Sequence, residues 1–264
     1  MSAGAAAGFA GNAHAQWSSE ARFALYYAPP RESPWWTEGC AWLGRDPEVD
    51  VTFAAPQPPA LQHPLRALTE APRRYGWHGT LVPPFRLAPG VASHQAFEAA
   101  CRWAQHQTGF DLQAEAATLG NFVALRPATS EGDAQMRALA ADALRTLAPL
   151  RAPLAAADLA RRHEAPLTPR QRELLDAWGY PYVFEEFRFH MTLSSSLDDA
   201  HERDTLCAWW AQRVPQLGAL PVHGAALFVE PAPGAPFVLW QRLPFAGAGI
   251  TAHIDATANG ARSR

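Results

Sequence analysis

Apolar and polar residues alternate along residues 187–194, which read FRFHMTLS. Successive side chains of a β-strand point to opposite faces of its sheet, so this alternation predicts a strand with one buried face. The polar positions make up the other face: Arg188, His190, Thr192 and Ser194. A second segment, YGWHGTL at residues 75–81, sets His78 and Thr80 at the same spacing. The chain therefore holds two His-x-Thr pairs, each with both side chains on one face of a predicted strand.

The remaining elements follow from periodicity and from the residues that break it. Strands are predicted within residues 22–30, 75–87, 111–128, 222–231 and 235–245. Helical spacing of apolar residues predicts helices within residues 91–109, 132–147, 169–178 and 199–214. Pro83 and Pro84 are expected to end the ladder soon after His78, because proline cannot donate a ladder hydrogen bond. Residues 31–72 are rich in Pro and Trp, and short helices and loops are predicted there.

The order of a strand with His-x-Thr-Leu, a helix and a hairpin occurs twice, with the two histidines 112 positions apart. This repetition predicts an α+β fold that is bilobal and duplicated, with two antiparallel sheets facing a central cleft and helices on the outside. One domain is expected over residues 21–245. The Ala- and Gly-rich residues 1–20 and residues 246–264 are expected to be flexible tails.

Composition narrows the class of protein. A net charge of −3 and a pI near 6.4 argue against a dedicated nucleic-acid-binding protein, which usually carries a basic face. All 22 basic residues are arginines, which excludes a Schiff-base lysine and the lysine of a phosphate-binding loop. No apolar run approaches the roughly 20 residues of a membrane span. Three scattered cysteines favour a reducing, cytoplasmic location. A small molecule is the expected partner, and the oligomeric state is left open.

Two histidines that face one groove suit in-line displacement at phosphorus. One neutral imidazole takes a proton from the attacking water or hydroxyl, and one imidazolium gives a proton to the leaving oxygen. Threonine hydroxyls can donate hydrogen bonds to the non-bridging phosphoryl oxygens, where negative charge must be held. The predicted catalytic residues are therefore His78, Thr80, His190 and Thr192. This scheme needs neither a metal nor a cofactor.

Structural interpretations stand beside this one. Either His-x-Thr pair alone would be read as a hydrogen-bonded core imidazole beside a β-favouring threonine, and the repetition is what favours function. A zinc site would need a third ligand that neither motif supplies. Arg188 is either a phosphate contact or a solvated arginine at a strand edge. Tyr26 and Tyr27 point to opposite faces of the first strand, so one of them can reach the groove; each is also a candidate core aromatic.

The motifs HGTL at residues 78–81 and HMTL at residues 190–193 resemble the two-histidine phosphoesterase superfamily. The segments RFALYYAPP, AWLGRD, PRRYGWHGTLVPPFRL and FRFHMTLSSSL resemble the uncharacterised branch often encoded beside phosphonate-utilisation genes. The resemblance extends from about Arg22 to Phe245. In that branch a lysine commonly follows the first motif, where this chain has Val82. Arg86 or Arg188 is therefore expected to supply the phosphate contact, with Tyr26 as a further binding residue.

The resemblance implies a bilobal α+β fold and histidines that act as acid and base on a cyclic phosphate. The resulting hypothesis is a metal-independent phosphoesterase that opens a small cyclic phosphate, such as a ribose cyclic phosphate in phosphonate breakdown. One alternative is a cyclic phosphodiesterase or ligase acting on RNA ends. Another is a non-catalytic module that binds a phosphorylated metabolite in the same cleft.

Overall fold

A computed structural model describes residues 17–247 of the chain. Its α-helices are α1 (Pro34–Leu43), α2 (Leu65–Leu68), α3 (Glu70–Tyr75), α4 (Ser93–Gln105), α5 (Ser130–Leu147), α6 (Ala156–His163), α7 (Pro169–Trp178) and α8 (Ala200–Leu217). Its strands are β1 (Arg22–Tyr27), β2 (Arg45–Asp46), β3 (Val51–Thr52), β4 (Gly79–Phe85), β5 (Phe110–Leu112), β6 (Ala114–Leu119), β7 (Phe122–Pro127), β8 (Met191–Thr192), β9 (Leu220–Val222), β10 (Gly224–Glu230) and β11 (Val238–Pro244). The class is therefore mixed helix and strand, as predicted.

One antiparallel sheet dominates the described part of the chain. Its seven strands lie in the order β11-β10-β1-β4-β8-β7-β6. The prediction of two separate sheets facing a cleft is wrong, because β4 and β8 pair through Gly79 and Met191 and join all seven strands into one surface. A bilobal, duplicated arrangement is not confirmed by this topology. Four strands of the sheet lie on the β4 side of the β4–β8 pairing, and three lie on the β8 side.

Strand β4 continues past the two prolines that were expected to end it. Its partner β1 pairs Leu25 with Val82 and Phe23 with Phe85, so Ala24 alone lies opposite Pro83 and Pro84. One residue against two is a β-bulge, and a bulge accommodates residues that cannot donate to the ladder. The prolines therefore bend the strand just beyond the first His-x-Thr pair without ending it.

The second motif is a shorter strand than its sequence predicts. Only Met191 and Thr192 form ladder pairs, although burial still alternates as expected, with Phe187, Phe189, Met191 and Leu193 buried. Arg188 is exposed, and the ring of His190 is half-buried. The hydrophobic alternation thus fixed the direction of the side chains, whereas the extent of pairing depended on the neighbouring strands.

Strands that hold the same place in the order of the two chain halves pair with each other. Strand β4 pairs with β8, and β5, which follows α4, pairs with β9, which follows α8. The hairpin β6–β7 extends the sheet beside β8, while the hairpin β10–β11 extends it beside β1. The hairpin β6–β7 follows β4 in the chain but lies beyond β8 in the sheet. The hairpin β10–β11 follows β8 in the chain but lies on the side of β4.

Helices and tryptophans support the two motifs from behind. Helices α4 and α5 pack against each other, α5 packs against β4 and β7, and α8 packs against β6 and β7. Trp42 on α1 donates a hydrogen bond from Nε1 to the carbonyl of Leu193 at 2.7 Å, beside the second motif. The Trp-rich residues 31–72 thus brace the sheet, and both Trp35 and Trp36 are buried in the core.

Most of the predicted tails lies outside the described residues. Of residues 1–20 the structure describes 17–20, and the ring of Trp17 contacts that of Trp240 at 5.9 Å. Of residues 246–264 it describes 246 and 247, and the amide of Ala246 donates to the carbonyl of Gln107 at 3.1 Å. No helix within residues 17–247 combines the length and the apolar character that crossing a membrane requires.

Candidate active site

The register between β4 and β8 brings the two His-x-Thr pairs together. Gly79 lies opposite Met191 in this antiparallel pair, so His78 lies opposite Thr192 and Thr80 lies opposite His190. All four side chains share the face away from buried Gly79 and Met191. His78 and His190 are therefore diagonal neighbours. Diagonal neighbours on adjacent strands are about 7 Å apart, which leaves room for one phosphoryl group between them. The register therefore assembles one site from two motifs that are far apart in sequence.

Two adjoining cavities open on this face, and together they are called the histidine groove here. The first has a volume of about 460 Å³ and is lined by His78, Thr80 and Thr192, among others. The second has a volume of about 370 Å³ and is lined by Thr80, His190 and others. They share four lining residues: Thr80, Pro83, Phe122 and Tyr180. All four predicted catalytic residues therefore border a single groove.

Both imidazoles are held by the same local hydrogen bond. Nδ1 of His78 lies 2.8 Å from the carbonyl oxygen of Gly76, and Nδ1 of His190 lies 2.9 Å from that of Arg188. A carbonyl only accepts, so Nδ1 carries the hydrogen in each ring, and Nε2 is the unprotonated nitrogen of the neutral imidazole. Nε2 of His78 lies 3.4 Å from the hydroxyl oxygen of Thr80, a long contact. In both motifs the residue two positions earlier therefore fixes the tautomer that leaves Nε2 as a base.

Burial makes both histidines weaker bases than usual. It lowers the pKa of His78 to about 4; the hydrogen bond to Gly76 opposes this shift, and the charge of His190 adds to it. Burial also lowers the pKa of His190, against the opposing hydrogen bond to Arg188. The influence of His190 on His78 means that the two rings interact electrostatically. Both imidazoles are therefore neutral at pH 7.

The low pKa of His78 predicts a loss of stability in mild acid. Below the usual histidine pKa of about 6.5 the unfolded chain binds a proton at His78, whereas the folded chain binds it only near a pKa of about 4. Stability is therefore lost as pH falls through this window. We expect His78 to account for about 1–2 kcal/mol of the decrease in unfolding free energy between about pH 7.5 and pH 5. Urea unfolding of wild type and His78→Gln at both pH values measures this difference.

His106 is the control for that prediction, because its ring is exposed at the end of α4, outside the groove. The His106→Gln protein should keep the wild-type pH dependence. Equal pH dependence of wild type and His78→Gln would contradict the low pKa of His78.

Tyr26 reaches the groove, and Tyr27 does not. The ring of Tyr26 stacks on that of His78 with 4.0 Å between centroids, and Tyr26 lines the first cavity. Tyr27 points to the opposite face, where its hydroxyl donates to the carbonyl of Pro221 at 3.1 Å. Tyr26 is fully buried, and burial raises the pKa of its hydroxyl, so the phenol stays neutral. Tyr26 therefore holds the imidazole of His78 in place, and its place in the cavity lining also allows contact with a ligand.

The two predicted arginines lie in different places. Arg188 lines the second cavity beside His190, but its Nη1 donates to the carbonyls of Glu185 and Phe187 at 2.6 and 2.7 Å. Arg86 lies outside the histidine groove, where its exposed guanidinium pairs with Glu20 at 3.0 Å. The structure therefore brings Arg188 to the site and leaves Arg86 away from it.

Several residues of the groove carry no signal in the sequence. They come from α3, β1, β7 and the segments around α6 and α7: Arg22, Tyr75, Phe122, Arg162 and Tyr180. None stands at a motif spacing, because each reaches the groove through the tertiary fold. Ser195 and Ser196 also line the first cavity, and the serine run that directly follows HMTL could have indicated them.

Comparison with known proteins gives the family of this chain. A family model described as a protein of unknown function, DUF1045, matches residues 80–238. The matched residues are more than half of the chain. The chain belongs to the DUF1045 family. The match includes β4 from Thr80 onward and the whole second motif.

Two relatives of this DUF1045 chain carry the name ribose 1,5-bisphosphate phosphokinase PhnN. The protein of Laribacter hongkongensis (strain HLHK9) is 41% identical over 238 residues, which are 87% of this chain and 53% of the relative. The protein of Janthinobacterium sp. (strain Marseille) is 38% identical over 246 residues, 89% of this chain and 53% of the relative. The chain spans about half the length of the curated relatives it matches.

A metal site needs several His, Cys, Asp or Glu side chains close together. Among residues 17–247 no group of three or more His, Cys, Asp or Glu side chains has a suitable arrangement. Among the residues that line the two cavities of the groove, Glu186 is the one with a carboxylate, and it accepts a hydrogen bond from Gln171 at 2.9 Å.

Proposed function

We propose that this protein is a metal-independent phosphoesterase that opens a cyclic phosphate ester by acid/base catalysis from two histidines. The observation that carries the proposal is the pair of imidazoles directly before the paired strands β4 and β8, each with Nδ1 hydrogen-bonded to a backbone carbonyl and Nε2 left as the reactive nitrogen. Two such groups supply the base and the acid of in-line displacement without further partners.

The reaction balances with one water molecule. Nε2 of the base histidine takes a proton from water as its oxygen attacks phosphorus. The bond between phosphorus and one ester oxygen of the ring breaks, and Nε2 of the acid histidine gives its proton to that oxygen. The product is an acyclic phosphate monoester, and proton exchange with solvent restores both imidazoles. Thr80 and Thr192 can donate hydrogen bonds to the two non-bridging oxygens.

The causes of the two pKa shifts suggest which histidine takes which role. His78 has its pKa lowered to about 4 and resists protonation, which suits the general base. His190 has a lowered pKa as well, but no second imidazole depresses it. An anionic phosphate bound beside it raises that pKa and favours the imidazolium that an acid needs. We therefore assign His78 as base and His190 as acid for ring opening.

The pairing of equivalent elements supports a duplicated origin for the site. Strands β4 and β8 pair with each other, as do β5 and β9, and this is what an approximate two-fold axis between the halves requires. Such an axis would present the two histidines to a central phosphorus from opposite sides. We infer that the fold is a pseudo-symmetric pair of halves that share one continuous sheet.

The substrate class follows from the relatives and from the resemblance to the phosphonate-associated branch. The relatives are named for a kinase of ribose 1,5-bisphosphate, so a ribose phosphate is the favoured substrate here. Kinase activity is not carried over, because the chain contains no lysine for a nucleotide phosphate loop. We therefore propose a ribose cyclic phosphate in phosphonate metabolism.

Phosphorus NMR tests the proposal. Purified protein with excess chelator is incubated separately with ribose 1,2-cyclic phosphate and with 2′,3′-cyclic nucleotides. We expect conversion of the ribose compound to a monoester. Conversion of the nucleotides alone would indicate an RNA-end phosphodiesterase, and binding of the ribose compound without conversion would indicate a binding module.

A further inference from the structure

A third cavity of about 560 Å³ adjoins the histidine groove. It shares Arg22, Pro83, Pro84 and Arg162 with the first cavity of the groove. Its walls contain an unusual number of guanidinium groups, from Arg22, Arg86, Arg151, Arg161 and Arg162. This space is called the arginine cavity below.

Three of these arginines are neutralised by carboxylates. Arg22 pairs with buried Glu230, Arg86 pairs with Glu20 at 3.0 Å, and Arg161 pairs with Asp158 at 2.6 Å. Asp176, the third carboxylate in the lining of the cavity beside Glu230 and Asp158, contacts His163 at 2.7 Å. Of the five arginines of the cavity, Arg151 and Arg162 remain without a carboxylate partner in the described part of the chain.

Arg151 and Arg162 form no ion pair with any carboxylate in residues 17–247. Each donates one hydrogen bond to the carboxyl end of α7: Arg151 Nη2 to the carbonyl of Trp178 at 2.8 Å, and Arg162 Nη1 to that of Gly179 at 2.6 Å. A guanidinium has five donors, so these bonds use a small part of its capacity. Nε of Arg151 is moreover buried without any hydrogen-bond partner.

The positive charges of Arg151 and Arg162 also repel each other. Burial lowers the pKa of Arg151, and the charge of Arg162 lowers it further, so the two cations are close enough to repel. Unpaired, partly desolvated cations beside an unsatisfied donor are costly unless an anion neutralises them. Phosphate suits two guanidinium groups, since each can donate a pair of hydrogen bonds to it.

We propose that Arg151 and Arg162 bind a second phosphate group of the substrate, remote from the phosphorus at the histidines. The inference rests on the proposed function and narrows the substrate to a sugar cyclic phosphate that carries a further phosphate ester. Arg162 lines both the arginine cavity and the first cavity of the histidine groove, so one molecule can reach both. Arg151 lines the arginine cavity and neither cavity of the groove, which makes it the discriminating residue.

Calorimetric titration with ribose 5-phosphate tests this site without any turnover. Wild type should bind ribose 5-phosphate and should not bind ribose measurably. Arg151→Gln and Arg162→Gln should each raise the Kd for ribose 5-phosphate about 10- to 100-fold, because each loses a charge-assisted contact. Arg172→Gln is the matched control: this exposed arginine on α7 lines none of the three cavities, so its Kd should equal that of wild type.

Thermal unfolding separates binding from a purely structural role at the end of α7. If the arginines only hold that helix end, both Gln variants will melt earlier but keep the full ligand-induced rise in Tm. That result, or absence of ribose 5-phosphate binding by wild type, would overturn the proposal. A smaller rise in Tm on binding ribose 5-phosphate in Arg151→Gln than in wild type supports the proposal. Arg162→Lys keeps the positive charge and should retain part of the wild-type rise in Tm.

A kinetic comparison distinguishes failure of this inference from failure of the proposed function. With ribose 1,2-cyclic phosphate and its 5-phosphorylated form as substrates, Arg151→Gln should raise KM for the phosphorylated one only. Equal KM values in wild type for both substrates would reject the second phosphate site and leave the phosphoesterase intact. Arginine-dependent binding of ribose 5-phosphate without turnover of either substrate would reject the phosphoesterase and keep the site.

Discussion

Alanine in place of His78 or His190 is expected to lower kcat for opening a ribose cyclic phosphate by about 10² to 10⁴. Each substitution removes an Nε2 that transfers a proton in the transition state. The fold should persist, because each ring is half-buried at the wall of the groove and its hydrogen bond goes to a backbone carbonyl two residues away. Initial rates from phosphorus NMR measure the effect.

The control for both variants is His106→Ala. His106 also donates from Nδ1 to a nearby carbonyl, that of Arg102 at 2.7 Å, but its ring is exposed outside the groove. This protein should keep the wild-type kcat. Wild-type kcat in His78→Ala or His190→Ala would reject the acid/base assignment for that residue, provided that circular dichroism finds each variant folded.

Replacing Glu230 with glutamine is expected to lower the free energy of unfolding by about 2–4 kcal/mol at pH 7. The side chain of Glu230 is fully buried and accepts hydrogen bonds from both Arg22 and Arg74, and from the amide of Gly234 at 3.0 Å. Glutamine keeps the shape and the bond to Gly234 but leaves two guanidinium groups without a counter-charge. They are 32% and 35% exposed, so hydration offsets part of the cost.

The effect of Glu230 should depend on pH with a defined sign. Burial raises the pKa of this carboxyl, but the hydrogen bond and charge of Arg22 and the hydrogen bonds from Gly234 and Arg74 lower it by more, so its pKa lies below the usual value. Its stabilising contribution is therefore present above about pH 4.3 and is lost as pH falls through the folded pKa. Urea unfolding at neutral pH and in acid measures both the size and the trend.

Glu115→Gln is the comparison for Glu230→Gln. Glu115 pairs with Arg126 at 2.8 Å, and both side chains are nearly half exposed, so its loss should cost less than about 1 kcal/mol. If Glu230→Gln proved no more destabilising than Glu115→Gln, the buried contacts of Glu230 with Arg22 and Arg74 would not contribute the stability assigned to them.

The local pattern of the chain was readable without a structure wherever one principle dominated. Period-2 alternation gave the buried and open faces of residues 187–193 correctly, since strand geometry forces that alternation. Residues 111–128, where strands were predicted, contain the antiparallel pair β6 and β7. Helix α7 begins at Pro169 and ends before Gly179, whose φ of 71° is a conformation that glycine favours.

Pairing between distant segments was not readable in the same way. The two-sheet prediction failed because nothing in either motif states that Gly79 will lie opposite Met191. The expected end of β4 at Pro83 failed because a bulge opposite Ala24 absorbs both prolines. The expected placement of Arg86 near the histidines stays unsupported. Arg86 pairs instead with Glu20, 66 positions earlier in the chain, and no local pattern predicts a contact over that separation.

The sequence by itself determined the two His-x-Thr pairs, their shared strand face and most of the helices and hairpins, because these depend on neighbours within a few positions. Only the tertiary structure decided that the four side chains meet across one ladder, that burial keeps both imidazoles neutral, and that Arg151 and Arg162 lie at a neighbouring cavity without a carboxylate partner among the described residues. Those properties depend on register, desolvation and charge over long sequence separations, which no local spacing encodes.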